Sequence, residues 1–110
     1  MTEFNEETFI YALCSRPADA KRLSVIFKPE WLSTASYVPL LSEIFEFTKK
    51  FGEPPSLETL KKLFQDKDEE AYNLRYKESI ERIQSLGEPD TSEILFTLDK
   101  ARDYGIIRSF

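Results

Sequence analysis

Carboxylates are the one chemically capable side chain this sequence supplies in quantity, with twenty Asp and Glu against fifteen Lys and Arg. Two of them placed together could share acid and base work. They stand among polar residues at helical spacing, where a solvated surface accounts for them. The sequence has no His, so the commonest general base and the commonest metal ligand are missing. Cys14 is the only cysteine. Alone it builds neither a disulfide nor a structural zinc site, and its place in a helical pattern marks it as a small buried residue. The three glycines, Gly52, Gly87 and Gly105, stand apart, so there is neither a phosphate-cradling loop nor a dinucleotide fingerprint. These residues predict no catalytic group, no bound cofactor and no metal.

What remains is surface that could grip other molecules. The net charge is −5, and none of three successive segments of the chain is positive. Residues 1–30 carry four basic and five acidic side chains, 31–66 four and five, and 67–110 seven and ten. Affinity for a phosphate backbone comes mainly from Lys and Arg, so tight nucleic-acid binding is not expected. Nine Phe, five Tyr and one Trp are a generous supply of rings. Rings supply much buried area, and those left outside mark contact surfaces. No apolar run reaches the roughly 20 residues of a membrane span. The lone cysteine fits a reducing compartment, and the acidic Met1-Thr2-Glu3-Phe4 start lacks the basic lead of a secretory signal, so a cytoplasmic location is expected.

The elements that would position such surfaces are helices nearly from end to end. Asn5 can cap a first helix with Phe9, Ile10 and Leu13 on one face. Arg16-Pro17 interrupts, and a second helix from about Ala18 turns Leu23, Ile26 and Phe27 inward. Lys28-Pro29-Glu30-Trp31-Leu32 reads as a connector. Caps among Ser33 to Ser36 then start a third, central helix carrying Leu40, Leu41, Ile44, Phe45, Phe47, Thr48 and Phe51, which Gly52 stops. After Pro54-Pro55, Ser56 caps a fourth helix with Leu57, Leu60, Leu63 and Phe64 inward. Gln65 to Glu70 reads as a charged connector. Tyr72, Tyr76, Ile80, Ile83 and Leu86 stripe a fifth helix, closed by Gly87 and Pro89. Asp90 and Glu93 resemble a capping box opening the last helix, with Ile94, Leu95, Leu98 and Ala101 inward. The expectation is an all-α fold: one domain over 1–110, a compact bundle of about six helices. Residues 1–89 form its head, and 90–110 form a helix like the first half of a hairpin.

Past Ala101 the pattern changes. Tyr104, Ile106, Ile107 and Phe110 crowd around Gly105 and run to the last residue. Such an end suits a helix continuing into something longer, and equally a terminus whose Phe110 docks on the core. Trp31 after Pro29 could anchor a partner or close one end of the bundle. The loop from Phe51 to Leu60 could be recognised by a partner, or could simply be a stop, a stiff turn and a start. Lys49-Lys50 and Lys61-Lys62 could form a basic spot across it, although Glu53 and Glu58 balance them.

In this order the elements resemble the N-terminal domain of DnaB-type hexameric replicative helicases, especially phage versions. Leu41-Ser42-Glu43-Ile44-Phe45 resembles the family's H-x-x-I-F helix, here without the His. The run Gly52-Glu53-Pro54-Pro55-Ser56-Leu57-Glu58-Thr59-Leu60 resembles its G-x-P-x-D-x-x-T-L turn, with Ser56 at the capping position. Leu98-Asp99-Lys100-Ala101-Arg102-Asp103-Tyr104-Gly105-Ile106-Ile107-Arg108 resembles the helix that opens the family's hairpin. A second hairpin helix is missing after Phe110, which suits a fragment of a longer protein.

The resemblance implies a non-catalytic collar on a helicase ring. Such a collar self-associates and docks primase and loader proteins, while a separate domain of an ATP-dependent DNA helicase hydrolyses ATP. Tyr104, Ile106, Ile107, Phe110 and Trp31 are then the expected protein-interaction residues. Two other functions share the fold expectation. One is a helix-turn-helix regulator reading DNA with Lys61, Lys62 and Gln65; the other is a stand-alone helicase loader or inhibitor.

Overall fold

Short polar side chains and two left-handed glycines, Gly52 and Gly87, set most of the helix boundaries. The structure, a computed structural model, describes residues 4–108. In α1 (Glu6–Ser15), Asn5 Oδ1 accepts from the Thr8 N–H at 3.0 Å. In α2 (Pro17–Ile26), Pro17 takes the first helical position, where its missing N–H costs nothing. The proline expected to interrupt the chain therefore starts the next helix. A short 3-10 turn, Pro29–Trp31, leads to α3 (Tyr37–Phe51), which Gly52 ends at φ +80°. Ser56 Oγ accepts from the Thr59 N–H at 3.1 Å at the start of α4 (Leu57–Lys67).

The charged connector expected between the fourth and fifth helices shrinks to one residue. Asp68 stops α4 and caps the next helix, accepting from the Ala71 N–H at 3.0 Å. The next rod, α5, covers residues 69–85. It has a first turn Glu69–Ala71, a π-helical segment Tyr72–Tyr76 and a regular segment Lys77–Ser85. Tyr72, Tyr76 and Ile80 are spaced four apart, so in a uniform α-helix they would drift by about 40° at each step. The wider π turn absorbs that drift and keeps Tyr72 and Ile80 both buried. Tyr72 brings in a hydroxyl with no hydrogen-bond partner. Leu86, the last residue of the expected stripe, is half exposed.

The last helix, α6 (Thr91–Arg108), runs through Gly105 without a break. Asp90 O accepts from the Ile94 N–H at 3.0 Å, while Glu93 accepts from the Thr8 hydroxyl of α1 at 3.4 Å. The acid of the expected capping box thus ties α6 to α1. Among the described residues the fold is all-helical, without a strand. Six helices share one core, with α3 packed on α1, α2 and α4, and α6 lying across α1 and α2. Its radius of gyration is 13.1 Å, matching the value of about 13 Å expected for a compact chain of this length.

Two contacts hold these layers in register. Ser33 and Thr34 donate their N–H groups to the buried Glu6 carboxylate at 2.6 and 3.0 Å, pinning the loop before α3 onto α1. The second contact is at Gly105, where an added Cβ would lie 2.9 Å from the Ile26 carbonyl oxygen. Glycine is required there by backbone approach and not by its dihedral freedom. Gly105→Val should therefore lower the unfolding free energy by about 2–3 kcal/mol through overpacking. A lower urea midpoint at unchanged slope is the expected readout, and an unshifted midpoint would rule out so close an approach. Glu6→Ala should cost about 2 kcal/mol in the same assay, since bonds to a charged acceptor are among the stronger ones.

Candidate functional site

Of the five residues singled out for interaction, the four that are described divide between two environments. Trp31 and Tyr104 are brought together: their ring centroids lie 5.5 Å apart, and each ring also packs on Phe27, at 5.3 and 5.9 Å. Both are partly buried, and Arg108 covers the Tyr104 ring at 4.8 Å. With Phe27 these rings form one aromatic cluster. Ile106 and Ile107 are exposed instead, at 43% and 74%. Phe110 lies outside the described residues.

The structure adds two residues that the spacing had misassigned or passed over. Leu95, expected inward, is 51% exposed, and Phe96 beside it is 58% exposed. Ile94, Leu98 and Ala101 already fill the inward face, and Leu95 stands one residue, or about 100°, from Ile94. Eleven residues make almost three whole turns, so Leu95 lines up with Ile106 and Phe96 with Ile107, about 16 Å along the helix. The outward side of α6 is thus apolar at both ends. Between them lie Asp99, Lys100, Arg102 and Asp103, with Arg102 bonded to Asp99 and 3.9 Å from Asp103. A groove of about 420 Å³ runs beside this face, between α2 and α6, lined by Asp19, Arg22, Leu95, Phe96, Asp99 and Arg102 among others.

Elsewhere, burial shifts three titratable side chains. Burial pushes the Cys14 thiol up to about 12, so it stays protonated and a poor nucleophile. Tyr37 donates to Glu7 at 2.8 Å. Its burial, then that hydrogen bond and the Glu7 charge, raise the phenol to about 12 against the pull of Arg82. The buried Tyr72 phenol is raised too, by burial and then by Glu81 and Glu58. Among the described residues, no three His, Cys, Asp or Glu side chains converge as metal ligands. Nor, among the described residues, is any helix long and apolar enough to cross a membrane. Of the two lysine pairs, Lys50 lies over the Phe51 ring at 5.2 Å and Lys61 is half-buried.

Comparison with protein-family models, with characterised proteins and with solved structures finds no match to this chain.

Cys14 and Tyr37 both titrate higher in the fold than their ordinary values of 9.0 and 10.0. Their contribution to stability is therefore whole below those values and is lost as pH rises toward about 12. Stability measured by urea unfolding should decline from pH 9 upward. Tyr37→Phe should flatten the part between 10 and 12; an unchanged profile in that variant would remove Tyr37 as a cause.

Proposed function

We propose that this chain is a non-catalytic collar domain of a replicative DNA helicase, which helps the ring assemble and docks primase or loader proteins. The observation that carries this reading is the double use of α6. Its inward face is consumed by the core, while Leu95, Phe96, Ile106 and Ile107 present a second apolar face to solvent. Paired apolar ends on one exposed helix face are what a docking surface for another chain looks like. The ordered motifs from Leu41 to Phe45, Gly52 to Leu60 and Leu98 to Arg108 supply the helicase context by resemblance. In that context ATP hydrolysis belongs to a separate domain, in keeping with the acidic, His-free composition of this one.

A helix-turn-helix reading draws less support from the fourth helix. Of its proposed contact residues, Lys61 and Gln65 are half-buried, and the nearby Lys67 is bound to Glu43 at 3.0 Å. Reading base edges needs such side chains free to reach into a groove.

The labelled chain titrated with the primase and the loader of its own replication system should bind at least one of them, with no nucleotide turnover. Phe96→Asp should weaken that binding by about thirtyfold, equivalent to about 2 kcal/mol for one large buried side chain. ATP hydrolysis by the isolated chain, or failure to bind either protein, would overturn the proposal.

A further inference from the structure

Four residues on the outward side of α6 fall at i, i+4, i+7 and i+11: Phe96, Lys100, Asp103 and Ile107. Spacings of four, three and four make the seam of a two-helix coiled coil. All four are exposed, so among the described residues no helix of its own chain covers this seam. Read forward, the order is apolar, basic, acidic, apolar. Read against its own reverse, every position meets its complement.

We infer that α6 pairs antiparallel with α6 of a second copy of this chain, about a two-fold axis passing between Ala101 and Arg102. The inference rests on the collar reading and names one occupant for the same face. In this arrangement Phe96 meets the second copy's Ile107 and Lys100 meets its Asp103, and the axis repeats each contact, as a two-fold interface requires. A parallel pairing would set Lys100 on Lys100 and Asp103 on Asp103, which like-charge repulsion disfavours. The groups needed are at hand: Lys100 lies over the Phe96 ring at 5.6 Å and has no ion pair among the described residues. A hollow of about 290 Å³, lined by Phe4, Lys100, Asp103, Tyr104 and Ile107, opens where the second copy's Phe96 would enter. Leu95 and Ile106 flank the seam and extend its apolar ends.

Charge reversal separates this geometry from any other mode of association. Sedimentation velocity of the wild-type chain over a wide concentration range should show a reversible dimer. Lys100→Glu alone and Asp103→Lys alone should each weaken it by about tenfold or more, by placing like charges together. An equimolar mixture of the two single variants should dimerise again, and so should the double variant K100E/D103K. Circular dichroism should find all of them equally helical, because both positions are exposed. Single variants that dimerise like wild type, or a mixture that does not recover, would overturn the antiparallel pairing while leaving the assembly role standing. A wild-type chain that stays monomeric yet binds primase or loader would remove the pairing and leave only the docking role.

Discussion

The approach of α6 to the end of α2 at Gly105 decides which side of the last helix is free. With no side chain in the way, the backbone of α6 comes down on the Ile26 carbonyl, and the Tyr104 ring is carried in against Phe27 and Trp31. A helix seated that tightly cannot turn about its axis without a clash, so its remaining faces are assigned at once. Ile94, Leu98 and Ala101 go to the core, and Leu95, Phe96, Ile106 and Ile107 go to solvent. The exposed apolar face of α6 is thus a by-product of one close contact elsewhere on the same helix.

The head that α6 leans on is held less by its loops than by polar ties beneath them. Glu6 fixes the chain between the 3-10 turn and α3, Tyr37 reaches Glu7, and the Ser36 and Ser79 hydroxyls share a hydrogen bond at 2.7 Å. Each tie joins segments far apart in sequence, so they register α1, α3 and α5 against one another where apolar packing alone is indifferent to small slides. A platform of this kind can present α6 rigidly, which limits the entropy lost when a partner binds.

Much of this architecture is legible in the residues. Asn5, Ser56 and Gly52 act where their side chains or backbone freedom say they should, because caps are local and answer to a few atoms. The misreadings arise where a choice depends on distant neighbours. Leu95 fits an inward stripe by spacing, yet the space is already taken by Ile94 and Leu98. Ser36, a ready cap, faces Ser79 instead, and the connector expected at Gln65 to Glu70 gives way to a single capping aspartate. Trp31 and Tyr104 are both notable as sequence, but only the fold shows that they pack against the same phenylalanine. The exposed ends of α6 are half legible: Ile106 and Ile107 stand out as apolar residues near the terminus, whereas the inward stripe claims Leu95 and gives Phe96 no part.

The widened turn in α5 has an evolutionary consequence. Between Tyr72 and Ile80 there are eight steps, which in a uniform helix would put their side chains about 80° apart, whereas seven steps would leave them within about 20°. Losing one of the solvent-facing residues Asn73, Leu74 or Arg75 would therefore turn the segment into ordinary helix and keep both anchors in phase. Relatives differing in length by a single residue at this point, and at no other place along the rod, could share an unchanged core.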